Sequence, residues 1–170
     1  SFSSSTAPSL SSIARSGDIM SRTSMRTIVF KSWKEDTFWV SQSPGKFILF
    51  RNLEDFISWK ENPYHTTKER AYLCKLSVDF IEDARPVAVK GFRITDTTSK
   101  VYDKKTGQLL HQFKLEKVMD YGPNIIAAFA SENPNKIDIL RIALVELINF
   151  GREVLMSNKS TLEYMKGRSM

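Results

Sequence analysis

The stretch Ser99–Lys117, SKVYDKKTGQLLHQFKLEK, decides how the rest of the chain is read. Asp103-Lys104-Lys105-Thr106-Gly107 begins with a side chain that starts turns and ends in glycine, the pattern of a type I turn closed by a bulge. A β-hairpin follows, with strands at Lys100–Asp103 and Gln108–Met119. In the second strand Leu109, His111, Phe113, Leu115 and Met119 fall on one face, opposite Gln108, Gln112, Lys114 and Glu116, the period of a half-buried strand. The same stretch holds five lysines. It is either a surface that holds a polyanion or an ordinary solvated hairpin.

C-terminal to the hairpin, Asn124–Ala130 (NIIAAFA) reads as a buried strand. Asn133-Pro134 places a cap and a first-turn proline before a long helix running to about Met156, with Ile137, Leu140, Leu144, Leu147, Gly151 and Val154 as its apolar stripe. On the N-terminal side, Pro86–Ile94 and Glu69–Ile81 alternate as strands, and Asn52 caps a short helix at Leu53–Lys60 that Asn62-Pro63 stops. Pro44-Gly45 suits positions i+1 and i+2 of a type II turn between strands at Asp36–Gln42 and Phe47–Arg51, and Thr27–Lys31 is a further β-rich run. The predicted fold is α+β: a largely antiparallel sheet with one short helix and a long C-terminal helix packed on it.

The organisation read from composition is a Ser/Arg-rich arm over 1–26, one domain over 27–157 and a polar tail over 158–170. Ten serines and three threonines occur in residues 1–27 with Arg15, Arg22 and Arg26 against the single acid Asp18, which fits either a processed organelle-targeting remnant or a flexible basic arm. With 41% hydrophobic and 26% charged residues, the chain has the makeup of a globular domain. No apolar run reaches the roughly 18 residues of a membrane span. One cysteine, Cys74, excludes an intrachain disulfide framework and implies an intracellular, reducing location, mitochondrial matrix or cytoplasm.

Catalytic signatures are absent: there is no dinucleotide or phosphate glycine loop, no H-E-x-x-H and no G-x-S-x-G. Two histidines, His65 and His111, are too few for a histidine-rich metal centre, so neither metal nor cofactor is expected. The acidic pairs Glu35-Asp36, Glu54-Asp55 and Glu82-Asp83 are adjacent in turns or helix starts, whereas catalytic carboxylates must face each other. Cys74 and His111 sit in apolar registers and read as structural. The chain is not expected to be an enzyme.

Charge is the remaining lead. Net charge is +6 with a pI near 9.4, and residues 84–118 hold eight Lys and Arg against three Asp and Glu, a local net of +5. Lys90, Arg93, Lys100, Lys104, Lys105 and Lys114 supply cations, and Tyr102 with Phe92 supplies rings on which unstacked bases could lie. Strand alternation puts Lys114 and Lys117 on opposite faces, so the hairpin tip Lys100–Lys105 is the most coherent cluster.

The order of elements resembles that of Whirly-type single-stranded nucleic-acid-binding proteins, although the lysine-glycine-lysine-alanine run of the plant members is missing. The basic and aromatic residues imply a non-enzymatic protein that binds RNA or single-stranded DNA, to which the likeness adds a little, and a homo- or hetero-oligomer is expected. The rival expectation is a structural subunit of a large assembly, such as a viral coat or matrix protein or an accessory subunit of an organellar complex.

Overall fold

A computed structural model describes residues 13–14, 19–23, 33–42, 44–62, 64–95 and 99–168. In chain order the elements are β1 (Ile13–Ala14), β2 (Ile19–Thr23), β3 (Lys34–Gln42), β4 (Lys46–Phe50), α1 (Leu53–Glu61), α2 (Thr67–Leu73), β5 (Cys74–Asp79), a 3-10 turn at Glu82–Ala84, β6 (Val89–Ile94), β7 (Lys100–Tyr102), β8 (Leu109–Met119), β9 (Gly122–Ser131) and α3 (Pro134–Arg168). The fold is α+β, and the strand pairings are antiparallel. Hydrogen bonding runs β5-β4-β3-β2-β9-β8-β6, with β1 attached to β3 and β7 to β8. Two blades result, β3–β5 and β6–β9, and β2 joins them by bonding to both β3 and β9.

The sequence KFILF explains why the first blade is covered on both sides. Phe47 and Leu49 enter the main core, whereas Ile48 and Phe50 face the other way into a second cluster with Phe56 and Trp59 of α1. Asn52 caps α1 as expected, its Oδ1 accepting from the Asp55 N–H at 2.8 Å. In the second blade Phe113 and Phe129 are cross-strand partners with ring centroids 5.5 Å apart, and Phe47 meets Phe129 edge-on at 5.9 Å, linking the blades through one aromatic ring.

α3 closes the core. Asn133 Oδ1 accepts from the Asn135 N–H at 2.9 Å, the cap expected ahead of Pro134. Ile137, Leu140, Leu144 and Leu147 are buried against both blades, each contributing about 1.5–3 kcal/mol by leaving water. One turn further, Gly151 lies so close to the chain at Phe80 that a Cβ would run into the Phe80 carbonyl oxygen. Phe80 is itself fixed from two other sides. Its N–H donates to the Gly45 carbonyl at 2.9 Å, and its ring stands edge-to-face on Phe92 at 4.9 Å.

Several sequence-based expectations need correcting. Glu69–Ile81 is not one strand: α2 occupies its first part and β5 begins at Cys74, leaving Tyr72 82% exposed. The reason is an N-cap, Thr66, whose Oγ1 accepts from the Glu69 N–H at 3.1 Å. The Gly45 N–H bonds to the Gln42 carbonyl at 3.0 Å, which puts Gly45 at i+3 of its turn rather than i+2. Within the segment assigned to an arm, Ile13–Ala14 and Ile19–Thr23 are strands, and β2 is central to the sheet. α3 continues through Arg168 instead of ending near Met156. The Thr27–Lys31 run lies outside the described residues.

Gly151→Ala tests the helix seat. At an ordinary helix position this change stabilises by up to about 1 kcal/mol. Here the sign is expected to reverse, with a loss of about 1–3 kcal/mol in denaturant unfolding as α3 is pushed off Phe80.

Candidate nucleic-acid interface

The hairpin at Lys100–Leu109 is built as its sequence implies, with Lys100, Val101 and Tyr102 paired to His111, Leu110 and Leu109. Its loop is one residue longer than a bulged type I turn: the Gly107 N–H reaches the Asp103 carbonyl four residues back at 2.7 Å, with Gly107 at φ 72. Asp103 organises the tip. Its side chain accepts from the Lys105 N–H at 3.0 Å and from the Thr106 hydroxyl at 3.1 Å, and the residue is buried. Gln108 Nε2 donates to Glu132 Oε1 at 2.6 Å, tying the tip to the start of α3. Lys100, Lys104 and Lys105 stay exposed, and Tyr102 is 66% exposed. Among the described residues, none of the ion pairs uses these three lysines.

The other sequence candidates lie elsewhere. Arg93 is opposite Glu116, and its Nε donates to Glu116 Oε1 at 2.8 Å, so part of its charge is spent on a carboxylate that is itself buried. Lys114 shares that face of β8, the reverse of the face that carries His111 and, by pairing, Lys100. Phe92 is not a stacking platform: it is 5% exposed and packs in the core against Phe80, because its alternation points it inward. Lys90 sits at the far end of β8 from the tip. Tyr102 pairs with Leu109 and Val89 with Met119, a separation of about 30 Å along the strand. The seven cations and aromatics therefore form three groups: the tip (Lys100, Tyr102, Lys104, Lys105), the reverse face (Arg93, Lys114) and Lys90.

Sequence reasoning missed a mainly polar hollow of about 280 Å³ over β8, where its partner changes from β6 to β7, lined by Thr95, Ser99, Gln112, Phe113, Lys114 and Glu116. Thr95 Oγ1 accepts from the Lys114 N–H at 2.8 Å, and Gln112 Nε2 donates to Ser99 Oγ at 3.1 Å. That leaves Gln112 Oε1 buried without a hydrogen-bond partner among the described residues, an acceptor in need of a donor. Ser99 precedes Lys100, but strand alternation sets the Gln112, Lys114 and Glu116 face opposite the one that carries Lys100 and Tyr102. A second feature missed is a cationic group on the first blade: Lys75 Nζ donates to the buried Ser21 Oγ at 3.1 Å, and burial, followed by the neighbouring charges of Lys34 and Arg51, pulls the Lys75 pKa below its usual value. No periodicity signals either feature, since both arise from contacts between segments distant in sequence.

Cys74 is half-buried and its Sγ donates to the Arg70 carbonyl at 3.3 Å. Burial pushes its thiol up, outweighing the opposing pull of Arg70 and Arg51. No group of three or more His, Cys, Asp or Glu among the described residues could hold a metal ion, and no described helix is long and apolar enough to cross a membrane. Comparison of the chain with family models, curated proteins and solved structures finds no match.

Asp103→Ala removes two tip hydrogen bonds and is expected to cost about 1–3 kcal/mol in unfolding free energy. Lys104→Ala, a solvated position, should stay within about 0.5 kcal/mol of the parent in the same denaturant titration.

Proposed function

We propose that this is a non-enzymatic protein that binds RNA or single-stranded DNA at the basic hairpin tip, the strand crossing the β7 edge to reach the hollow beside Lys114 on the reverse face. The observation that carries the reading is the tip itself: three exposed lysines outside any described ion pair, next to an exposed tyrosine, on a turn braced by a buried aspartate. Ordering the turn in advance lowers the entropy lost when phosphates are bound. Lys100, Lys104 and Lys105 contact the backbone, and Tyr102 offers a ring for a splayed base. In the hollow, Gln112 Oε1, without a partner among the described residues, accepts from a base amine or ring N–H. Arg93 contributes less than its charge suggests, because Glu116 holds it. The element order that resembles Whirly-type proteins agrees with this reading but speaks to fold rather than activity.

Assembly is the second reading, favoured by a different observation. The last part of α3 exposes Met156, Leu162, Tyr164 and Met165 at 59–64%. A helix that leaves such residues in water suits a homo- or hetero-oligomer, in which another subunit covers them.

Binding of a labelled single-stranded oligonucleotide across a salt series separates the two. Affinity should fall steeply with salt, and the log–log slope should become shallower by about 1.4 in Lys104→Ala/Lys105→Ala, two single-strand contacts at about 0.7 each. Tyr102→Ala should lose about 1–3 kcal/mol with the slope unchanged. Absence of binding near physiological salt, together with a discrete oligomer by light scattering, would favour the assembly reading instead.

A further inference from the structure

A second cleft lies at the opposite end of the molecule from the hairpin, between the start of β6, the 3-10 turn and the C-terminal part of α3, with a volume of about 220 Å³. It exists because β6 bulges. Val89 pairs with Met119 and Gly91 with Val118, so Lys90 is the extra residue, turned toward α3. Gly91 follows at φ 141, and a Cβ there would meet nothing within 4 Å, so the wall is open at that point.

The lining divides sharply by chemistry. Its polar side chains are Lys90, Arg152 and Lys159, all exposed at the rim and none in an ion pair among the described residues. Each is a donor and a cation. No carboxylate, amide or hydroxyl side chain lines the cleft. The remainder is apolar: Phe80, Phe92 and Ile148 below, with Leu155 and Met156 alongside. A ligand that fits this lining carries negative charge and acceptors at one end and has a body free of hydrogen-bond donors. A nucleobase does not meet the second condition, since its amines would find no side-chain acceptor. Nor could it stack, because Phe80 and Phe92 are 1% and 5% exposed and already packed on each other edge-to-face.

We infer that this cleft binds a medium-chain fatty-acid carboxylate, the carboxylate held among Lys90, Arg152 and Lys159 and the acyl chain laid along Leu155 and Met156 of α3. The volume is below the roughly 300 Å³ of a drug-sized pocket and suits a narrow chain segment. The site is separate from the proposed nucleic-acid interface and does not rest on it.

The test titrates the full chain with decanoate, below its micelle concentration, by calorimetry and by methyl NMR. Saturable binding is expected, with shifts at the Met156 and Ile148 methyls. Lys90→Ala, Arg152→Ala and Lys159→Ala should each weaken it about two- to fivefold, the range of a solvent-exposed charge pair. Lys68→Ala on α2 should leave it unchanged. Decanol, lacking the charge, should bind about tenfold more weakly or worse, and acetate should not saturate. Equal binding of decanol, tighter binding of adenosine monophosphate, shifts confined to residues outside the cleft, or no saturable binding by folded protein would each overturn the assignment.

Discussion

The contact between Gly151 of α3 and the chain at Phe80 is the constraint on which the molecule turns. Phe80 receives the backbone of the β3–β4 turn through Gly45, passes its ring to Phe92 of β6, and takes α3 directly on its carbonyl. Three parts of the chain far apart in sequence thus meet at one residue. Because interiors pack at crystal-like density, a single methyl group at this point cannot be absorbed by small adjustments, and the helix must move as a body. Its stripe of Ile137, Leu140, Leu144 and Leu147 is what holds both blades around the Phe47–Phe129 contact. The fatty-acid cleft is a by-product of the same seat, since Phe80 and Phe92 form its floor and α3 its wall.

Charge placement follows from strand geometry. Consecutive side chains alternate faces and β8 is long, so cations that are neighbours in sequence separate in space. The carboxylate of Glu116 holds Arg93, the β6 bulge sends Lys90 toward the helix, and only the tip keeps Lys100, Lys104 and Lys105 together. A basic segment of net +5 is therefore not one basic surface, and its cations divide among the hairpin, the reverse face of β8 and the cleft.

Much of the fold was legible because strong local rules operated. The Asn52 and Asn133 caps and the stripe of α3 each depend on a few adjacent residues and stand as read, and the hairpin at Asp103–Gly107 stands with a loop one residue longer than read. The Glu69–Ile81 stretch misled because period-two alternation continued through Tyr72 while Thr66 and Glu69 quietly supplied a helix start. Phe92 reads as a surface ring because it stands among lysines in sequence, whereas pairing across β8 turns it inward. The strands at Ile19–Thr23 were hidden by a Ser/Arg-rich composition that resembles a tail; pairing with β9 is a long-range event that no local pattern announces. The exposed lysine cluster of the hairpin tip was legible, whereas the hollow at Gln112 and the cleft at Lys90, Arg152 and Lys159 required tertiary structure.

Native-state hydrogen exchange, read residue by residue, measures the dependence of both blades on the helix seat. Amides of β4 at Phe47–Phe50, of β8 at Phe113–Leu115 and of α3 at Leu140–Leu147 are expected to open together, with one common free energy equal to that of global unfolding. Release of α3 at a lower free energy, with either blade keeping its protection afterwards, would contradict the claim that the Phe80–Gly151 contact holds the fold together.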